Sequence, residues 1–286
     1  MNNTVKGITK YLWFLREKFY FLNFPILCKL PYGSLILAYG DEMGLKFFIR
    51  KPFEENEWHF IDRFLKTGMT FVDIGANQGF YTLLAAKKVS TLGRVFAFEP
   101  QPSELKKLKK NIFINLLKNI IVEPLALGRA EGSTNMHVCL DGQASFSSLQ
   151  APSESVKART KIIKVPITTL DKYIQKNGIS SIDFVKIDVE GGELDVLKGG
   201  TNMLKTLRPI LMCECNNIRT LQWGYPVTQL YQFLEDHNYS WFQVMANGFL
   251  KKLVLQGEDY SDMGNLIALP NDKINSVANF LEEHGE

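Results

Sequence analysis

Apolar positions along the chain follow two periods in turn, and the alternation predicts a succession of strands and helices. Phe71-Val72-Asp73-Ile74 is almost wholly apolar, as expected of a strand covered on both faces. It stops at Gly75-Ala76-Asn77-Gln78-Gly79, and a helix is expected from Gly79 to Lys88, with Leu83, Leu84 and Ala86 packing inward. Val95 to Phe98 predicts a second strand, ending at Glu99-Pro100. Ser103 to Leu117 carries Leu105, Leu108, Ile112 and Leu116 at helical spacing, with Ser103 as its expected N-cap. Ile120 to Leu127, Ile182 to Asp188 and Arg208 to Glu214 predict further strands, and Thr169 to Lys176 and Val227 to His237 predict helices.

Flanking segments complete the layout. Leu35 to Tyr39 and Leu45 to Ile49 predict a hairpin closed by Gly40-Asp41-Glu42-Met43-Gly44, followed by a helix from Glu54 to Leu65. Trp241 to Met245 and Leu250 to Leu255 predict a terminal hairpin, with Asn247-Gly248 as a type I′ turn. Gly264 to Pro270 suits an edge strand, and the acidic stretch after Asp272 a surface helix. Gly132 to Pro166 is polar and rich in serine, with short strands near Met136-His137-Val138 and Lys161 to Val165. Such an insertion suits a loop beside a ligand. The expected fold is α/β: a mainly parallel sheet with helices on both faces and an antiparallel end hairpin. Residues 51–286 would form this domain, and residues 1–50 a helical and hairpin extension.

Composition narrows the classes. The 286 residues are 45% hydrophobic and 22% charged, ordinary for a globular protein, and a net charge of +3 gives no footprint for nucleic acid. Cys28, Cys139, Cys213 and Cys215 have no metal-binding spacing, so buried free thiols in a cytoplasmic protein are expected. No apolar stretch reaches the length of a membrane span. Met1 to Tyr32 interleaves Tyr11, Trp13, Phe14, Phe19, Tyr20, Phe21 and Phe24 with Lys6, Lys10, Arg16, Lys18 and Lys29. Arg16-Glu17-Lys18 breaks its apolar run, against a signal peptide. A helix packing its aromatic face on the main domain is expected, with peripheral membrane contact as the alternative.

The candidate chemistry gathers where parallel strands end. Gly75 and Gly79 leave backbone open to a ligand, and the following helix aims N–H groups at it. Glu99 follows Asp73 by 26 positions, near the spacing of a ribose-binding acid. Lys186, Asp188 and Glu190 share one face by the strand period, costly unless paired or in use. Glu214 ends a neighbouring strand. His137 and His237 lie outside these blocks and are expected to be structural.

This layout resembles class I methyltransferases, whose fold is Rossmann-like. The corner reads Asp73-x-Gly75-x-Asn77-x-Gly79 and lacks the G-x-G-x-x-G turn that a pyrophosphate requires. S-adenosylmethionine has no phosphate; Asp73 can hold its ammonium, and N–H groups near Asn77 its carboxylate. FVDIGANQGFYT, GRVFAFEPQPSELKKLKKNI, TTLDKY, IDFVKIDVEGGELDVLKGG and RPILMCE occur in the order of the FkbM family of S-adenosylmethionine-dependent methyltransferases. The resemblance covers Glu54 to Met245. It implies O-methylation of a small molecule or sugar, with cofactor contacts at Asp73, Gly75, Ala76, Asn77, Gly79, Phe80, Glu99 and Pro100. It places Lys186, Asp188, Glu190 and Gly191 at the active-site edge without naming the base. Asp188 is the first candidate, Glu190 the second and Glu214 a helper. Phe80 or Tyr81 can flank a sulfonium or simply pack in the core. A divalent cation on the carboxylates is the less favoured route. Two alternatives are a non-catalytic S-adenosylmethionine-binding protein and an enzyme acting on a lipid-linked glycan at a membrane surface. The sequence assigns no oligomeric state.

Overall fold

The computed structural model describes residues 24–50, 53–140, 142–151, 159–254 and 262–281. Its centre is an eight-stranded sheet. In chain order the strands are β3 (Thr70–Ile74), β4 (Arg94–Phe98), β5 (Ile120–Glu123), β9 (Phe184–Ile187), β10 (Ile210–Asn216), β11 (Tyr239–Val244), β12 (Leu250–Lys252) and β13 (Asp262–Pro270). Across the sheet the order is β12-β11-β13-β10-β9-β3-β4-β5. From β10 to β5 all neighbours are parallel, whereas β13 runs antiparallel between β10 and β11. Pairing Asp73 with Lys186 and Ile74 with Ile187 brings the carboxyl ends of β3 and β9 level.

The strand period divides the apolar residues between two layers. Phe71, Phe184 and Met212 face one core, filled by helices α2 (Glu55–Phe64) and α3 (Phe80–Val89). Val72, Val185 and Leu211 face the other, filled by α5 (Leu170–Lys176), α6 (Glu193–Lys198), α7 (Thr201–Thr206) and α9 (Val227–Glu235). Helices therefore cover both faces. Cys213 and Cys215 are buried together in the second layer, Cys139 is also buried, and Cys28 is only half-buried. Among the described residues no helix is long and apolar enough to cross a membrane.

Several expectations change. Leu45 to Ile49 is no strand: α1 (Glu42–Phe48) occupies it, because Asp41 Oδ1 accepts the Gly44 N–H at 2.6 Å and caps a helix. Glu42 and Lys46, four residues apart, add an ion pair at 2.9 Å. The expected strand at Leu35 is present as β2 (Leu35–Ala38), but its hairpin partner lies one element earlier, at β1 (Ile26–Lys29), inside the stretch expected to be helical. The cap of α4 (Pro102–Ile114) is Gln101, with Ser103 inside the first turn. The run Ile120 to Leu127 breaks at Pro124 into β5 and β6 (Ala126–Leu127). β6 joins β7 (Gly132–Cys139) and β8 (Thr160–Thr168) in a separate three-stranded sheet. Gly264 to Pro270 is interior, held on both sides by hydrogen-bonded strands. Asn271 to Phe280 forms 3-10 turns kinked at Val277, which bury Val277 and Phe280. The expected hairpin at Asn247-Gly248 is present, both residues at positive φ. The aromatic and basic residues before Phe24, with Ser153 and Ser155, lie outside the described residues.

Asp41 also joins this N-terminal element to the sheet. Its Oδ2 accepts hydrogen bonds from Gln78 Nε2 at 2.9 Å and from Lys107 Nζ at 2.7 Å. Asp41→Ala is expected to lower the free energy of unfolding by about 1–2 kcal/mol through loss of the cap and its buried partners. The measurement is the urea midpoint, with the slope unchanged.

Candidate functional site

A cavity of about 240 Å³ opens at the carboxyl ends of β3, β4, β9 and β10, where ligands bind in open α/β sheets. Each expected site residue lies on or beside its wall. Gly75, at φ +84, turns the chain directly over β9: a Cβ there would meet the Asp188 carbonyl oxygen at 1.8 Å. At Gly79, φ +96, a Cβ would meet Leu108 Cδ1 at 2.6 Å. Both glycines thus make room for protein rather than ligand.

Asp73 is buried, with Oδ2 accepting from the Thr82 hydroxyl at 2.5 Å. Its Oδ1 is buried without a hydrogen-bond partner among the described residues. A carboxylate in that position has capacity for a cationic donor. Burial raises the Asp73 pKa, and Lys186 opposes the rise. Glu99 accepts the N–H of Gln101 through Oε1 and of Asn77 through Oε2, each at 2.8 Å. The Asn77 N–H, expected to face a ligand carboxylate, is therefore engaged by Glu99. Each Glu99 oxygen keeps a second lone pair for a further donor. Burial pushes Glu99 up to about 8, against those two hydrogen bonds.

On β9, Lys186 is 3% exposed and pairs with Asp188 at 2.8 Å. Its ammonium also lies 5.0 Å from the centre of the Tyr81 ring. Glu190 leaves the strand in a left-handed conformation, φ +58, and its Oε2 meets Arg219 Nε at 3.0 Å. Burial is the largest cause raising Glu190 to about 8, followed by repulsion from Asp188. Glu214 is raised well above the usual carboxylate range by burial and by Asp188, and its buried Oε2 has no hydrogen-bond partner among the described residues. Oxygens of Asp188, Glu190 and Glu214 lie within 4.8 Å of one another, close enough to share a cation. Phe80 packs against Tyr32, Phe47, Phe53 and Tyr81 while lining the cavity, so core packing and site overlap there. His237 Nδ1 contacts the Phe233 carbonyl, and His137 bridges the backbone of Ser148; neither lines the cavity.

The structure adds residues that motif spacing did not expose. Glu54 caps α2 in a left-handed conformation and accepts the Tyr81 hydroxyl at 2.5 Å; burial raises it to about 7. Arg219, on α8 (Asn217–Gln222), partners Glu190 and lies 4.8 Å from the Phe146 ring. Trp223 donates its indole N–H to the Glu190 carbonyl, and Glu193 Oε1 accepts the N–H groups of Val189 and Gly191. A cluster of buried acids on one sheet edge demands cations nearby; that demand was the available signal for Arg219. The insertion reaches the cavity through Ser145, Phe146, Ser147 and Ser148.

Strand order, with one antiparallel strand inserted before the terminal hairpin, and a cavity at the β3–β9 edge define a class I, Rossmann-like methyltransferase fold. The Methyltransferase FkbM domain profile matches residues 73–241, more than half of the chain, and the chain belongs to that family. It is 28% identical over 142 residues to the hexuronic acid methyltransferase AglP of Haloferax volcanii, covering 49% of this chain and 53% of AglP. The chain thus spans about half the length of that relative. It is 26% identical over 175 residues to the 2-O-methyltransferase NoeI of Sinorhizobium fredii, covering 56% of this chain and 70% of NoeI. Among solved structures, methyltransferase FkbM from Methylobacillus flagellatus KT superposes with a TM-score of 0.46 at 16% identity, covering 78% of this chain and 52% of that one.

Buried glutamates with raised pKa values make stability depend on pH. Between about pH 4.5 and 7 the folded protein keeps the Glu54 proton that the unfolded chain has lost. Stability from this group is therefore full below the unfolded value and declines as pH rises through the folded one. Glu54→Gln keeps an acceptor for Tyr81 but removes the titration. It is expected to flatten the fall in urea midpoint across that window, measured against the parent chain.

Proposed function

We propose that the chain transfers a methyl group from S-adenosylmethionine to a hydroxyl oxygen of a sugar or small molecule. The observation that carries this reading is the buried, unpartnered Asp73 Oδ1 in the same cavity as Asp188, Glu190 and Glu214. Residues at the first corner fit the donor: Asp73 Oδ1 accepts from an ammonium, and the remaining lone pairs of Glu99 accept from ribose hydroxyls. Ala76, Asn77, Phe80 and Pro100 complete that wall. When bound, S-adenosylmethionine supplies a methyl carbon already activated by its sulfonium.

The chain then has two tasks. It must hold the acceptor oxygen in line, and it must take its proton, since a neutral alcohol is a weak nucleophile. Asp188 suits the second task. Lys186 fixes one of its oxygens at 2.8 Å, while the other oxygen remains to receive a proton. Glu190, held by Arg219, and Glu214 position the acceptor or hold the proton afterwards. The O-methylation reading is supported by the names of AglP and NoeI, which describe a hexuronic acid methyltransferase and a 2-O-methyltransferase. The spacing of the four cysteines, which resembles no disulfide framework, supports a cytoplasmic location. The domain assignment, residues 51–286 with an extension before it, stands as part of this proposal.

Asp73→Ala is expected to weaken S-adenosylhomocysteine binding at least about tenfold by calorimetric titration, through loss of a charged hydrogen bond. Unchanged affinity overturns the donor assignment. Asp188→Ala should leave that affinity intact and lower turnover by about 10²-fold or more. Near-parent turnover overturns the assignment of the base. The close approach of the three carboxylates supports a second reading, a divalent cation that acidifies the hydroxyl. Turnover is expected to survive chelation; a strict requirement for added magnesium gives the trio to a metal instead.

A further inference from the structure

We propose that the acceptor half of the cavity takes a neutral or cationic sugar and rejects one bearing a carboxylate, such as a uronic acid. This rests on the methyltransferase reading above and adds the charge class of its substrate.

The inference follows from which charges already have partners. A carboxylate leaving water for a half-enclosed cavity needs a cation or several N–H donors to offset the loss of hydration. Among the described residues, two lysines line the cavity. Lys46 pairs with Glu42 at 2.9 Å, and Lys186 pairs with Asp188 at 2.8 Å. Arg219, behind the wall, pairs with Glu190 at 3.0 Å. Every one of these three cations is therefore matched before an acceptor arrives.

Acids are in excess on the same wall. Glu214 has no ion-pair partner among the described residues, and its buried Oε2 has no hydrogen-bond partner there. An incoming carboxylate would meet Asp188, Glu190 and Glu214 within a few ångströms, a like-charge arrangement that works against binding. Protonating Glu214, which holds no ion-pair partner among the described residues, removes repulsion but supplies no cation. It leaves a carboxyl group that both donates and accepts, which suits a hydroxyl.

The rest of the wall fits an uncharged polyol. Ser145 and Ser147 offer hydroxyl groups, and Phe146 and Trp223 offer apolar faces. Aromatic rings pack against the C–H faces of sugars while carboxyl groups take the hydroxyls, so this wall can orient a sugar without compensating a charge. An amino sugar gains further from the acidic excess.

The test presents the full chain, with S-adenosylmethionine, to methyl glycosides in three charge states: hexoses, 2-amino-2-deoxyhexoses and hexuronic acids. Neutral and amino members are expected to show kcat/KM at least about tenfold above their uronic counterparts. Glu214→Gln, which deletes one acid and keeps the shape, should narrow that margin. Uronic acids turned over as well as or better than the neutral sugars overturn the proposal. If no sugar is methylated while S-adenosylhomocysteine still binds by calorimetry, the sugar assignment falls and the methyl-donor reading stands. If S-adenosylhomocysteine does not bind either, both fall together.

Discussion

Lys186 is a buried ammonium on a central strand, and an isolated charge there would be expensive to keep. The carboxylates around it offset that cost. Asp188 follows two residues later on the same face, Asp73 sits opposite in the register, and Glu54 approaches from the N-terminal side. Their combined field raises the Lys186 pKa despite burial. One cation thus balances the charge of three acids around the cavity. The geometry also couples the two halves of the site. The turn at Gly75 rests on the carbonyl of Asp188, so the corner after β3 and the end of β9 cannot shift independently.

The excess of acid comes at a cost in stability. Glu99, Glu190 and Glu193 are held at about 8, 8 and 7 respectively, and Glu214 is raised as well. Folded, these groups keep protons that water would remove. Local devices reduce the cost. Glu193 folds the Val189-Glu190-Gly191 turn by accepting two N–H groups, and Glu99 does the same between Asn77 and Gln101. Two of these acids, Glu99 and Glu193, are thus backbone fasteners. Asp188, Glu190 and Glu214 keep oxygen capacity for chemistry.

The described part of the N-terminal region, β1, β2 and α1, is built into the same core as the sheet. Ile36, Ala38 and Phe47 bury against Phe80 and Leu84, and the Tyr32 hydroxyl donates to the Phe80 carbonyl. Asn111 and Asn115 of α4 accept the Leu37 and Leu35 N–H groups, at 2.9 and 2.8 Å, and so satisfy an edge of β2. Met43 and Phe47 thereby become part of the cavity wall. Its shape depends on residues that precede the first strand of the sheet.

Local sequence was enough to specify the central strands, their order of chemistry along the chain and the corner at Gly75-Ala76-Asn77. Buried parallel strands must be apolar, so an acid within or just after one stands out; Asp73, Glu99, Asp188 and Glu214 were legible for that reason. Short-range devices were harder to read. The cap at Asp41 turned an apolar run with strand-like residues into a helix, and Pro124 split another run between two sheets. Only tertiary structure could place β13 inside the sheet, since an apolar strand looks the same at an edge or an interior position until its neighbours are known. It alone brought Glu54, Arg219 and Phe146 to the cavity. Their spacing along the chain carries no period, and their proximity arises from long-range packing of α2, α8 and the insertion on the sheet edge.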